Sequence, residues 1–207
     1  MEPGLTFEGR FVRLEPLFTV APAEILAAAS QDRSTYAWTW VPRDVEDLGR
    51  YLDRLRGWQD AGEAVCFAQR RLADGHIVGC TSFLDLQRWD WDRATGFPDS
   101  VEIGATWLAA SAQRTPINTE AKFLLMTHAF EVWHAQRVCL KTDARNARSR
   151  QAIERLGARF EGILRHHMVA YGDGGLRDSA YYSVLPAEWP GVREGLEARL
   201  GDHVLDR

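Results

Sequence analysis

Residues 101–157 constrain this chain more than any other stretch. A short mixed strand at 101–108 runs through a polar turn into an amphipathic helix that starts near Thr119, with Phe123, Leu124, Ala129 and Phe130 as its apolar face and Asn118 or Thr119 as its cap. A second strand follows at 137–143. Another helix then opens at Asn146-Ala-Arg-Ser149, where Asn146 is a capping residue, and stops at Gly157. That order sets two helix N-termini beside the ends of two neighbouring strands. The first N–H groups of a helix have no partner inside it, and together with the helix dipole they attract anions. The arrangement suits a nucleotide-like, anionic cofactor.

The rest of the chain frames this block. Alternating apolar and polar residues over 11–17 predict a first strand. Pro22 marks the start of an alanine-rich helix over 23–30, since proline suits the first helical position. After a loop bearing Tyr36, Trp38 and Trp40, Asp44 and Asp47 open a helix whose stripe is Val45, Leu48, Leu52 and Leu55, ending before Gly62. Strands over 64–70 and 76–86 are joined by Ala73-Asp74-Gly75, a hairpin signal, and a loop over 87–100 carries Trp89, Trp91, Gly96, Phe97 and Pro98. Downstream, 159–171 and 177–185 form a long hairpin around Gly172-Asp-Gly-Gly175. Pro186 ends it, and Pro190 leads into a short terminal helix. No internal repeat or long linker divides the 207 residues. The expectation is one α/β domain over 1–207, with a mixed, mostly antiparallel sheet flanked by helices.

Composition excludes several functions. With 45% apolar and 26% charged residues the chain can bury a real core, and a net charge of -4 gives no support to nonspecific nucleic-acid binding. Cys66, Cys80 and Cys139 lie in apolar, strand-like runs without CxxC spacing, which predicts buried thiols in a reducing compartment. No run reaches 18 apolar residues, and no basic stretch precedes an apolar one at the N-terminus. Neither a membrane span nor secretion is expected, and the cytoplasm is the expected location. His128 and Glu131 share a helix face, but there is no HExxH pattern and no metal site is expected.

Several pieces taken together resemble the GNAT superfamily, and within it the RimJ/RimL-like N-acetyltransferases. They are Phe11-Val-Arg-Leu14, His76-Ile-Val-Gly79, Val101-Glu-Ile-Gly104, Thr119-Glu-Ala121, Asn146-x-x-Ser149 running to Leu156-Gly157, Glu161-Gly162-x-Leu164-Arg165 and Arg177-Asp178. The resemblance covers essentially the full length. It implies an acyl-CoA-dependent N-acyltransferase, most simply one moving acetyl from acetyl-CoA to a primary amine of a peptide N-terminus or a small metabolite. It also implies pairing into a homodimer, while the charge and the lack of a long apolar run leave no nucleic-acid or membrane partner expected.

In that family the cofactor pyrophosphate lies on a turn written Gln/Arg-x-x-Gly-x-Gly/Ala. Here the turn is Gln113, Arg114, Thr115, Pro116, Ile117 and Asn118, with Thr119 following. Proline thus stands where glycine would let the backbone approach phosphate at positive φ, and it removes an N–H donor. Arg114, at a second common glycine position, adds charge. The resemblance further implies that the backbone of Ile103, Gly104 and Ala105 pairs with the pantetheine arm, and that Asn146 and Ser149 contact the cofactor. Both of the latter also read simply as a helix cap.

Acyl transfer to an amine needs a neutral nitrogen, a polarised carbonyl and a departing thiolate, and a carboxylate can take the amine proton. Glu102 is the first candidate, because its strand emerges beside the expected thioester position; Glu161 and Asp85 are weaker ones. The tyrosine that many relatives use as general acid falls at Ile153. That leaves Ser149 or water, which suffices for a thiol of pKa about 8.5. Trp38, Trp40, Trp89 and Trp91, in two loops, flank the expected acceptor entrance, with Asp85, Asp90, Asp92 and Asp99 to attract an amine. His166 and His167 point to opposite faces of a regular strand, and His166 is the candidate for the acceptor cleft. Two alternatives stay open: a noncatalytic binding or regulatory protein that kept the fold, favoured by Pro116 and Ile153, and a transferase for another acyl group such as succinyl.

Overall fold

Residues 11–17 yield the strand β2 (Val12–Pro16), in which Val12 and Leu14 are completely buried, and a two-residue strand, β1 (Phe7–Glu8), pairs with it. The computed structural model describes residues 4–92, 95–171 and 174–205; Gly172 and Asp173 of the expected glycine turn lie outside these. Proline opens α1 (Pro22–Ala29) as its fixed φ allows, and α2 (Val45–Asp60) is capped by Asp44, whose carboxylate accepts the Asp47 N–H at 2.8 Å. Leu48, Tyr51 and Leu55 form the buried face of α2, whereas Val45, placed on that stripe by sequence, is 75% exposed in the first turn.

The strands β3 (Ala64–Arg71), β4 (Ile77–Gln87) and β5 (Ser100–Leu108) follow as antiparallel neighbours. Next come α3 (Ile117–Thr127), β6 (Arg137–Asp143), α4 (Ala147–Arg155), β7 (Arg159–Val169), β8 (Leu176–Val184) and α5 (Trp189–Leu205). They complete one eight-stranded sheet in the order β1-β2-β3-β4-β5-β6-β8-β7. All of its pairings are antiparallel except β5 with β6, so the mixed, mostly antiparallel α/β architecture read from the sequence is the one observed.

Three details differ from the sequence reading. α3 begins at Ile117, with Pro116 in helical geometry before it and the Pro116 carbonyl accepting the Glu120 N–H at 2.9 Å; neither Asn118 nor Thr119 is its cap. After Thr127 the helix continues as a π turn (His128–Val132). The terminal helix α5 is 17 residues long rather than short, and Glu131 secures it by accepting from Trp189 Nε1 at 2.9 Å and Arg193 Nη1 at 2.8 Å.

One buried carboxylate fastens the N-terminal segment to α3. Glu120, 5% exposed, accepts the backbone N–H groups of Arg10, Phe11 and Val12 at 2.7, 2.7 and 2.8 Å. Gly9 makes the approach possible, since a Cβ there would lie 2.3 Å from the carboxylate carbon. Hydrogen bonds to a charged group contribute about 1.5–3 kcal/mol each, part of which is recovered by relaxation. Replacing Glu120 by alanine should therefore lower the unfolding free energy by about 3 kcal/mol in urea denaturation. A loss below about 1 kcal/mol would show that the segment is held by its strand pairing instead.

Candidate active site

β5 and β6 pair at Ser100↔Arg137, Val101↔Val138 and Glu102↔Cys139, and among the described residues the ladder stops there. Farther along, Thr81 on β4 faces both Ala105 and Thr106, because the register slips between Ser82↔Gly104 and Cys80↔Trp107. Ala105, at φ 47°, is the residue that makes this bulge, and a bulge bends its strand. β5 and β6 therefore splay, opening a cavity of about 1200 Å³. That exceeds the roughly 300–1,000 Å³ of ordinary small-ligand pockets and leaves room for a long ligand and an acceptor together. Its walls include residues 102–108 of β5, residues 84–86 of β4, residues 140–142 of β6, the starts of α3 and α4, part of α2, and the loop between α1 and α2. Separated strand edges present N–H and C=O groups that an extended ligand can pair with, as an added strand does.

The cavity lining is cationic. Gln113 staples the turn, with Nε2 donating to the Leu108 carbonyl at 3.0 Å and to Thr35 Oγ1 at 2.8 Å while its Oε1 accepts from Arg148 at 3.0 Å. Arg114 takes the left-handed conformation, φ 60°, whereas Pro116 sits at φ -65° and ψ -12°. The conformational demand assigned to position 116 thus falls on 114. Arg114, Thr115, Asn118 and Thr119 line the cavity with Gln113; Pro116 is not part of the lining, and Ile117 is buried in the core. Eight basic side chains line the cavity (Arg54, Arg114, Lys122, Lys141, Arg145, Arg148, Arg155 and Arg177) against three acidic ones (Glu63, Asp85 and Glu102), on a chain of net charge -4. The open helix start and this charge fit a polyanionic cofactor.

At the apex of the splay lies Glu102, 5% exposed, its Oε2 2.6 Å from Lys141 Nζ. Burial pushes the Glu102 carboxyl above the usual carboxylate range, with Lys141 resisting. Burial also works against the Lys141 charge, but Glu102 overrides it and holds the amine above its ordinary value. Gly104 is what makes room for the carboxylate: a Cβ there would stand 2.4 Å from Glu102 Oε1. Ile103, Gly104 and Ala105 line the cavity, as do Asp85, Asn146, Ser149 and Ile153. Asn146 caps α4 by accepting the Ser149 N–H at 3.1 Å.

Lys122 is a site residue that sequence reading missed. It is 4% exposed, and its Nζ donates to Thr81 Oγ1 at 3.1 Å and Thr106 Oγ1 at 2.7 Å. Burial brings its pKa down to about 7, with Glu102 opposing. Helical spacing held the clue, since Lys122 lies on the same face as the buried Ala121, Leu125 and Met126.

On the acceptor side the structure separates the tryptophans. Trp38 and Trp40 line the cavity: the Trp38 ring lies 4.2 Å from the Arg145 guanidinium, and Trp40 stacks on Tyr171 at 5.8 Å beneath Arg54 at 4.6 Å. Arg33 fixes this loop by donating to the carbonyls of Ala29, Val41 and Pro42 at 2.7–2.8 Å. Trp89 and Trp91 pack edge to face on each other outside the cavity lining. Asp99, assigned to attracting an amine, is buried and accepts from Trp89 N and Trp91 Nε1 at 2.9 and 3.1 Å; Asp90 and Asp92 are exposed on the same loop and also lie off the lining.

Glu161 is likewise away from the cavity. It is bound by both terminal nitrogens of Arg137 and by Ser183 Oγ, and Arg137 holds its carboxyl below the usual range. His166 falls where β7 loses register between Leu164 and Met168, at φ 48°, with its N–H donating to Asp178 at 2.7 Å. It borders a shallow depression on the outer hairpin, because the irregular strand breaks the alternation that pointed it inward. Among the described residues no cluster of His, Cys, Asp and Glu is placed to hold a metal, and no helix is long and apolar enough to cross a membrane.

A notch between parting parallel strands, walled by cations and by two helix starts, defines a protein built to hold a long anionic ligand beside a buried carboxylate. Residues 12–159 match the model of the acetyltransferase (GNAT) domain, and the chain belongs to that family. A GCN5-related N-acetyltransferase from Brucella melitensis is 34% identical and superposes with a TM-score of 0.79, over 94% of this chain and 84% of that one. YdaF of Bacillus subtilis (strain 168), named provisionally as a ribosomal N-acetyltransferase, is 32% identical over 122 residues, 59% of this chain and 61% of YdaF. RimJ of Mycobacterium smegmatis, solved in complex with CoA-disulfide, shares the fold with a TM-score of 0.69 at 22% identity, over 91% of this chain and 88% of RimJ. The RimJ/RimL-like resemblance read from the sequence agrees with these relatives.

Two measurements test the site's energetics. The unfolded chain holds the Lys122 proton up to about pH 10.4, whereas the folded one sheds it near pH 7, so stability should rise with pH between these values. Cys66, which burial raises to about 11, and Cys80, also raised by burial, act in the opposite sense once unfolded thiols ionise near about 8.5. From pH 7 to about 8.5 the unfolding free energy should therefore climb by about 1 kcal/mol per pH unit, and Lys122→Met should flatten the slope. An equal slope in the variant would assign it elsewhere. Arg114→Gly should relieve about 1 kcal/mol of left-handed strain in the same assay; a destabilised variant would mean that the arginine side chain outweighs its backbone cost.

Proposed function

We propose that this protein is an acetyl-CoA-dependent N-acetyltransferase whose acceptor is the primary amine of a peptide or protein N-terminus. The observation that carries the reading is the cationic splay with a buried carboxylate at its apex. Acetyl-CoA, when bound, supplies an activated thioester. The residues suited to hold it are the first-turn amides of Asn118 and Thr119, the guanidinium groups of Arg114 and Arg148, the backbone of Ile103, Gly104 and Ala105, and the α4 start at Asn146 and Ser149.

Glu102 takes the proton from the acceptor amine. Burial raises its proton affinity while Lys141, at 2.6 Å, keeps it ionised enough to act as a base. Ile153 lines the cavity without a proton to give, so Ser149 or water protonates the departing sulfur. Trp38 and Trp40 form the acceptor wall. The provisional name of YdaF supports a ribosomal protein as the first acceptor to try. The free thiols of Cys66, Cys80 and Cys139 support a cytoplasmic setting, and the exposed Phe160, Ile163 and Leu164 on the edge strand β7 support a homodimer. Pro116 no longer favours a noncatalytic protein, because its helical geometry suits proline.

Calorimetry should give micromolar acetyl-CoA binding, weakened about tenfold in Arg114→Ala. Glu102→Gln should keep that affinity and lower turnover on N-terminal peptides by about 10²–10⁴-fold. Absence of acetyl-CoA binding, with succinyl-CoA tested in parallel, would overturn the acetyl-donor reading. Full turnover in the Gln variant would remove Glu102 as the base.

A further inference from the structure

The chain carries 25 basic residues, of which only Lys122 and Lys141 are lysine, and both line the cavity; every other basic position is arginine. Arginine stays charged at any accessible pH, whereas a buried lysine can give up its proton. Lys141 is held charged by its contact with Glu102. Lys122 differs, because both of its hydrogen-bond partners are hydroxyls, those of Thr81 and Thr106, which themselves lie 2.9 Å apart. A hydroxyl rotor accepts from an ammonium or donates to a neutral amine, so this pocket satisfies Lys122 in either state.

Resting on the acyl-CoA reading above, we infer that cofactor binding loads a proton onto Lys122, so that this amine is a charge reserve coupled to the anionic groups held at the start of α3. Lys122 is the sixth residue of α3, about 7.5 Å along the axis from Ile117. Over such a distance inside a protein one negative charge moves a lysine's protonation by about one pH unit. Among the described residues the ionised groups around it are few. Glu102 on β5 acts on it directly; Lys141 on β6, Asp85 on β4 and Arg177 on β8 act on Glu102. Glu120, on its own helix, is engaged with the N–H groups of residues 10–12, and Arg114 stands at the turn before the helix. With burial setting the free amine near pKa 7, Lys122 is largely neutral at pH 7.5 in the empty cleft, and an arriving polyanion returns it to the charged form. Affinity for the cofactor consequently falls as pH rises from about 7 to about 9.

Titrating acetyl-CoA into the wild type at pH 7.5, in phosphate and in Tris, reads the linkage from the buffer dependence of the heat. The expected result is uptake of about half a proton per cofactor beyond that of Lys122→Met, and also beyond that of Lys122→Arg, which keeps its charge throughout. Micromolar binding with equal uptake in all three proteins would overturn the inference while leaving the cofactor reading intact. No binding in any buffer would overturn both. Because the chain has only two lysines, ¹³C-lysine-labelled wild type gives a readout that needs no variant. One Cε signal should titrate near pH 7 in the free protein and about one unit higher with acetyl-CoA; unchanged titration on binding would refute the coupling.

Discussion

β5 and β6 hold each other at only three residue pairs, and each survives the separation because its other edge stays occupied. β6 is paired to β8 from Val138 through Asp143, and β5 returns to β4 at Trp107 and Leu108 after its bulge. The notch is thus a local loss on one edge of each strand, offset by ladders on the opposite edges. Its cost concentrates in Ala105, a non-glycine residue at φ 47°, where the left-handed region disfavours a Cβ by about 1–2 kcal/mol. Side chains on both walls follow from that bend. Glu102 is the last residue before the strands part, so its carboxylate faces the cavity while its backbone remains in the ladder.

Concentrating basic groups in a cavity of an acidic protein raises the question of why they do not repel one another or drift into solvent. The structure answers with individual anchors. Arg145 is fixed by Asp143 at 2.8 Å and covered by Trp38, Arg148 is held by Gln113, and Lys141 is neutralised by Glu102. The Asp143 and Glu102 carboxylates offset Arg145 and Lys141, whereas Gln113 is neutral, so the Arg148 charge persists where an anion can reach it. The loop bearing Trp38 and Trp40 is fixed in the same manner, by one half-buried guanidinium spread over three carbonyls.

How far the sequence disclosed this depends on the kind of signal involved. Among the described residues, regular alternation and caps locate seven of the eight strands and all five α-helices, and only β1 lacks enough residues to show a period. The apex and the α4 start were legible because strand ends and the Asn146 cap are local features. Reading failed where a side chain's role depends on a distant partner. Glu161 resembles a catalytic carboxylate until Arg137 and Ser183 are found on neighbouring strands. The Trp89 and Trp91 loop looks like a cleft wall until Asp99 turns it back on itself. His166 points inward only on an unbroken pleat, and Lys122 hides because a lysine on an amphipathic helix ordinarily faces water.

The turn before α3 shows why residue type and conformation must be kept apart. A glycine there signals a need for positive φ, and reading Pro116 as a lost glycine treats that need as belonging to one position. In this chain Arg114 carries the left-handed residue at φ 60°, two positions earlier. Pro116 then enters the helix at φ -65°, within proline's own range, and its carbonyl starts the helical hydrogen bonding at Glu120. The amide that proline lacks precedes the helix and is not among the open first-turn donors, which belong to Asn118 and Thr119, the Ile117 N–H donating to Thr115 Oγ1 at 3.4 Å. Proline therefore stiffens the approach to the helix without removing a donor from its start, and the arginine adds a cation where glycine would have added only flexibility. The substitution redistributes the turn's functions among its residues and leaves the anion-facing end of α3 in place.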